Sequence, residues 1–144
     1  MPTSVNDMLP EMAPDLADRF VEYTKSIEGI VLDYSIESLQ QVDEIIEGMR
    51  RDGLTVNDVR LNLLIIGCYV GEVFVRNHHL KWVRIEDSDY ADSPTDTPFV
   101  IEYADSEYTS PIDKVIKRLE SGEENYLPFY YQVILKLMEG PPGQ

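Results

Sequence analysis

LNLLIIGCYVGEVFV, residues 61–75, is the most apolar continuous stretch of the chain. Its flanks keep helical periodicity from Val56 and Val59 through to Arg76, about 22 residues in all, several times the length of an ordinary strand. Length therefore selects a central helix over about 56–77, near 33 Å long at about 1.5 Å per residue. Thr55 is placed to cap it, and Asp58, three residues on, completes a capping box at the positive end of the helix dipole. The same arithmetic excludes a membrane span. The apolar core is about 13 to 15 residues, is interrupted by Gly67, Tyr69, Gly71 and Glu72, and falls short of the roughly 20 that a bilayer requires.

Outward from this helix, other segments carry weaker but consistent patterns. Leu16, Phe20, Tyr23 and Ile27 repeat at helical spacing after Pro14 and Asp15, predicting a helix whose apolar stripe ends near Gly29. Ser35 is a cap for a second helix, with Tyr34 and Leu39 at staple spacing. Leu39, Val42, Ile46 and Met49 face inward, Gln40, Gln41, Glu44 and Glu47 mostly outward, and Arg50 and Arg51 complement its C-terminal dipole. Beyond the central helix, Asn77, His78 and His79 break the pattern, and two strands are expected near 81–86 and 99–104. Ser110 and Pro111 open a short helix with Ile112, Val115, Ile116 and Leu119 inward. A last helix begins near Asn125 or Leu127 and buries Leu127, Tyr131, Ile134 and Met138. This order predicts an α+β fold, about five helices organised around the long one with a small antiparallel sheet. The 144 residues fit a single domain over 1–144, with 1–12 and 139–144 expected as loose tails.

Twelve Lys and Arg against 27 Asp and Glu leave a net charge of −15. That charge repels phosphate backbones and anionic lipid, so neither nucleic acid nor a membrane is an expected partner. Eight carboxylates and no Lys or Arg lie between Glu86 and Glu107: Glu86, Asp87, Asp89, Asp92, Asp96, Glu102, Asp105 and Glu107. The polar connection from Asp87 to Thr97 resembles a calcium loop only superficially, because Asp92 stands where glycine belongs and Pro98 where glutamate belongs. It reads instead as a solvated acidic loop, and Glu86, Asp87, Asp89, Asp92 and Asp96 are the candidate contacts for a basic protein partner. Cys68 is the lone cysteine, a buried small hydrophobe suited to a reducing compartment, and the N-terminus has no secretion signal, so cytoplasmic residence is expected.

Candidate functional residues cluster in the second half of the central helix. Gly67 and Gly71 share a face and remove side chains where a neighbouring backbone or a ligand could approach. Glu72 interrupts the apolar run, and Arg76 stands four residues on in the favourable order for a helical ion pair. Cys68 near Glu72 invites a thiol-enzyme reading, but His79, the base it would need, is about 16 Å away along the helix. His78 and His79 point in different directions and do not form a metal pair, so no metal or cofactor is expected. Tyr126, Phe129, Tyr130 and Tyr131 cannot all face inward on one helix, and Tyr126, Phe129 and Tyr130 are the candidate face of a homodimer.

Glu37-Ser38-Leu39, Asp43, the run from Gly67 to Val73, Arg76 and Trp82 together resemble a family of small bacterial domains of unknown function, with an ESL…D helix, a G-x-Y-x-G-E-V helix and a downstream tryptophan. Pro111, Lys114, Val115, Lys117, Arg118 and Gly122 are similar to that family's later P…KV…K…G segment. The resemblance implies an α+β bacterial cytoplasmic domain and assigns no catalytic residue. It marks Gly67, Tyr69, Gly71, Glu72, Arg76 and Trp82 as structural or binding positions. Two functions are expected from these features: a non-enzymatic interaction domain, regulatory or immunity-like, that uses its acidic surface, and a small-molecule binder or enzyme with a pocket around Glu72, Arg76 and Trp82.

Overall fold

Thr55 begins the central helix as its sequence predicts. Its hydroxyl accepts from the Asp58 amide at 3.4 Å while the Asp58 carboxylate accepts from the Thr55 amide at 2.8 Å. In the computed structural model, which describes residues 8–92 and 97–140, the helix runs Val56–His78, with a kink at Val59 (φ −131°, ψ 27°) that sets its first turn off from the rest. It is the third of five: α1 Ala13–Tyr23, α2 Ser38–Arg51, α3 Val56–His78, α4 Pro111–Ser121 and α5 Leu127–Glu139. Strands β1 Lys81–Arg84, β2 Phe99–Ala104 and β3 Glu107–Thr109 form one antiparallel sheet in the order β1-β2-β3. The architecture is the α+β fold expected from the sequence, with a third short strand added.

Helix α3 packs against α1 on one side and α4 on the other. From Leu63 to Phe74 only Ile65 is not fully buried, so the helix is solvated at its start, where Leu61 is 55% exposed, and enclosed along its second half. The α1 side is made of small residues. Ala13 and Ala17 are both fully enclosed and let the helices approach, with Leu16 and Phe20 beside them and Thr24 continuing the stripe. This corrects the expected stripe. Tyr23 and Ile27 are 58% and 63% exposed, because the buried face is centred on 13, 16, 17, 20 and 24 and the chain turns as a π-helix over Thr24–Glu28, which rotates Ile27 off that face.

Helix α2 starts later than a Ser35 cap would place it. The Ser35 hydroxyl does accept from the Ser38 amide at 3.2 Å, but across a preceding turn, and regular helix begins at Ser38. Its inward face holds Leu39, Val42 and Ile46 as expected and also Ser38 and Asp43, while Met49 is half-buried. The expected strand over 81–86 ends at Arg84, where Ile85–Asp87 turns as a single 3₁₀ turn. Ser110 caps α4 by accepting from the Asp113 amide at 3.2 Å. The inward row of α4 is Ile112, Val115, Arg118 and Leu119, with Ile116 half-buried. On α5, Leu127, Tyr130, Tyr131 and Ile134 are buried and Met138 is half-buried.

Of the two segments expected as loose tails, residues 1–7 and 141–144 lie outside the described residues, whereas Met8 and Met12 pack against the core and Pro10–Met12 forms a 3₁₀ turn. Among the described residues no helix is long and apolar enough to cross a membrane.

Candidate functional site

Every residue singled out on the second half of α3 makes a defined contact. A Cβ on Gly67 would fall 2.6 Å from the Ile112 Cα, so α4 crosses there with its backbone against the helix. A Cβ on Gly71 would fall 2.1 Å from the Trp82 indole, which lies in the gap. Both glycines are therefore occupied by protein. Tyr69 is buried, with its hydroxyl accepting from the Tyr34 amide at 2.9 Å and sharing a 2.7 Å hydrogen bond with Ser38. Tyr34 holds a left-handed backbone, φ 63°, and its ring stacks on Tyr69 at 4.7 Å.

Glu72 joins helix to sheet. Its Oε1 accepts from Arg76 Nε at 2.9 Å and its Oε2 from the Trp82 indole Nε1 at 2.8 Å, and the residue is 2% exposed. The Arg76 guanidinium lies 3.6 Å over the Tyr34 ring, and its Nη2 is 3.7 Å from Asp18, whose carboxylate also accepts from the Tyr34 hydroxyl at 2.6 Å. Burial pulls the Arg76 pKa down, but the hydrogen bond to Glu72 and the neighbouring negative charges hold it above its ordinary value. The chain from Trp82 through Glu72 and Arg76 to Asp18 thus ties β1, α3 and α1 together. Both carboxylate oxygens of Glu72 are taken, so it has no free oxygen positioned to act as a base. A cleft of about 630 Å³ is lined by Trp82, together with Lys81, Val83 and Arg84, and it includes neither Glu72 nor Arg76.

Cys68 is fully buried, and burial first, then the Glu72 charge, raises its thiol pKa far above the usual range. A thiolate is the nucleophile in thiol chemistry, so this sulfur is held in its inert form. His78 meets the Tyr131 hydroxyl, while His79 takes a left-handed conformation, φ 56°, as the helix C-cap.

A second polar cluster was not anticipated. Arg118 on α4 is 2% exposed and grips Asp43 on α2 through two parallel bonds, Nε to Oδ1 at 2.9 Å and Nη2 to Oδ2 at 3.0 Å. Asp43 Oδ1 also accepts the Leu127 amide at 3.0 Å, so one buried carboxylate joins α2 and α4 and caps α5. Glu47 Oε1 lies 3.0 Å from Arg118 Nη1, a charge contact without hydrogen-bond alignment. Charged residues at the inward helical positions 43 and 118 were the available signal.

The acidic residues fall into two groups. Glu86, Asp87, Asp89 and Asp92 are exposed, and Asp96 lies outside the described residues. Across the sheet, Asp105 and Glu107 are exposed and Glu102 half-buried. Burial first, and after it the charges of Glu107 and Asp89, raises the Tyr103 hydroxyl pKa; burial, then Glu102, Asp89 and Asp105, does the same at Tyr108. Two bases are engaged here: Arg84 meets Glu86 at 2.6 Å and Lys81 meets Glu102 at 3.8 Å. The expected dimer face is corrected at one position. Phe129 is 64% exposed and Tyr126 half-buried, but Tyr130 is inside, bonded to Thr109 at 2.7 Å.

The family described as Domain of unknown function (DUF3806) matches residues 41–130. The chain belongs to this family. The DUF3806 match spans Asp43, the glycine-bearing half of α3, Trp82 and Arg118, and so contains the Asp43–Arg118 cluster and the Glu72, Arg76 and Trp82 part of the other, while Asp18 and Tyr34 precede it. Comparison with curated proteins gives no match, and comparison with solved structures gives none either.

Proposed function

We propose that this DUF3806 domain is a non-enzymatic protein-interaction module of the bacterial cytoplasm, regulatory or immunity-like, that presents its acidic face to a basic protein surface. The observation that carries this reading is the contrast between internal and external charge. The two internal ionic clusters are held by partners within the chain and serve as struts, whereas Asp87, Asp89, Asp105 and Glu107 are exposed near Tyr103 and Tyr108, and Glu86 and Asp92 are exposed in the same stretch of chain. A same-sign surface of this kind steers an oppositely charged partner and disfavours others. Tyrosine at its centre supplies apolar area and a face for an incoming Lys or Arg. Residence in the cytoplasm is supported by the single buried thiol.

The small-molecule alternative is less favoured, since Glu72, Arg76 and Trp82 meet one another and leave no free oxygen on Glu72. The test neutralises Asp87, Asp89, Asp105 and Glu107 to Asn and Gln and compares partners recovered from native cells at low and high salt. Loss of the same partner on neutralisation and on addition of salt is expected. Retention of that partner by the neutralised protein, with no salt dependence, overturns the reading.

A further inference from the structure

Helix α5 is apolar on two sides. Leu127, Tyr130, Tyr131 and Ile134 are buried against the rest of the chain, while Phe129, Val133 and Leu137 stand outward at 64%, 39% and 53% exposure. Spaced four residues apart, these three side chains form one ridge, about 12 Å long at about 1.5 Å per residue. A helix covered on one side only carries polar residues along the other, and one that is apolar all round is normally covered all round. Exposed apolar residues scattered singly need no explanation, but three in line mark a contact surface.

Charge and symmetry select what covers it. Two copies of a chain with a net charge of −15 repel one another over most of their surface. That repulsion is least at α5, where only Lys136 and Glu139 among 13 residues are charged, one of each sign, whereas each of the other four helices carries at least four charged residues. The ridge is also complementary to itself. With two such helices laid antiparallel about a two-fold axis at Val133, Phe129 falls against the partner's Leu137, and Val133 meets the partner's Val133. On the flank, the exposed Gln132 comes within reach of the partner's Lys136, and the reverse contact forms by symmetry.

We propose that the outer ridge of α5 is a homodimerisation face, on which two copies of the chain pack antiparallel about a two-fold axis at Val133. One helix ridge offers less than the about 800 Å² that each side of a standard interface buries, so the dimer is weak and forms as concentration rises. This face is separate from the acidic surface and does not rest on it. Salt acts on the two with opposite sign: screening weakens the attraction of a basic partner but relieves the repulsion between two chains of −15.

Analytical ultracentrifugation of the purified chain over a wide concentration range tests this, with Val133→Glu and Val133→Lys as variants. Val133 is 39% exposed on a regular helix, so both variants should fold, which circular dichroism checks. The wild type should pass from monomer to dimer as concentration rises, and at a lower concentration in high salt than in low salt. Each variant alone should associate at least about tenfold more weakly, because like charges meet across the axis. An equimolar mixture of the two should recover association, because residue 133 faces its own copy at a two-fold. A wild type that stays monomeric at every concentration and salt leaves the ridge to a different protein and overturns the proposal. Equal association of wild type and Val133→Glu, or association that weakens as salt is added, overturns it too. Two variants that lose association and do not regain it when mixed overturn the two-fold at Val133.

Discussion

The Trp82 indole Nε1 donates to Glu72 Oε2 at 2.8 Å, so the chain's single tryptophan is held against helix α3 by a carboxylate in the middle of that helix's most apolar run. A buried glutamate is costly unless both oxygens are occupied, and here Arg76 occupies the other. Glu72→Leu should cost about 2–3 kcal/mol, because it strands the indole N–H and frees Arg76, a hydrogen bond to a charged group contributing about 1.5–3 kcal/mol. Glu72→Gln, which keeps an acceptor for one of the two donors, should cost about half of that. Urea denaturation checks the order; equal stability of wild type and Glu72→Leu would show that the bridge contributes nothing.

Gly71 should not accept even alanine. Alanine is the better helix former by about 1 kcal/mol, yet its Cβ would sit 2.1 Å from the indole, so the ring must swing out of its slot. That displacement breaks the Glu72 bond and the edge contact with Phe99 at 5.2 Å. Gly71→Ala should lose about 1–3 kcal/mol and move the tryptophan emission to the red, toward the wavelength of solvated indole. An unshifted emission at unchanged stability would mean that the gap is wider than the geometry indicates. Gly67→Ala meets main chain at Ile112, which yields less readily than a ring, and should be at least as damaging.

The sequence made the helices and their caps legible because those signals are local: Thr55 with Asp58, and Ser110 with Pro111, are settled within a single turn. The Glu72 to Arg76 pair was legible for the same reason, being four residues apart on one face. Strand β3 was not, since three residues carry too little alternation to separate from a loop. The α1 face was misplaced because large apolar residues were given more weight than Ala13 and Ala17, whose smallness is what lets α3 approach. Asp43 and Arg118 are 75 residues apart, and no local pattern announces a tertiary pair, although each charge stands on an apolar face.

That pair yields a prediction with a built-in control. Asp43→Asn keeps Oδ1 for the Leu127 amide and Arg118 Nε, but it puts an amide donor where Nη2 finds its acceptor and leaves the Arg118 charge, at 2% exposure, opposed only by the poorly aligned Glu47. Removing one member of a buried pair costs about 3–5 kcal/mol, whereas replacing both with apolar residues of similar volume is often near neutral. Asp43→Asn and Arg118→Met should each lie in that range, and the two combined should lose less than the sum of the single losses, because no unpaired buried charge is then left. A double variant whose loss equals the sum of the single losses, measured by urea unfolding, would show that the two residues act independently.

Alkaline pH should unfold the domain through its buried hydroxyls. Burial raises the Tyr130 pKa above its ordinary value of 10.0, a shift that the Thr109 hydrogen bond only partly opposes, and burial also raises those of Tyr69 and Tyr131. In the folded state these phenols stay protonated while the unfolded chain ionises, so above about pH 10 the unfolded state binds fewer protons and stability falls as pH rises. The Cys68 thiol, raised by burial from 9.0, adds a contribution that begins about one pH unit earlier. Tyr130→Phe loses the bond to Thr109 and should cost about 1 kcal/mol at neutral pH, yet its stability should decline less steeply above about pH 10. Stability curves of the two proteins against pH should therefore converge as the solution becomes more alkaline. Parallel curves would mean that Tyr130 ionises in the folded protein as readily as in the unfolded chain.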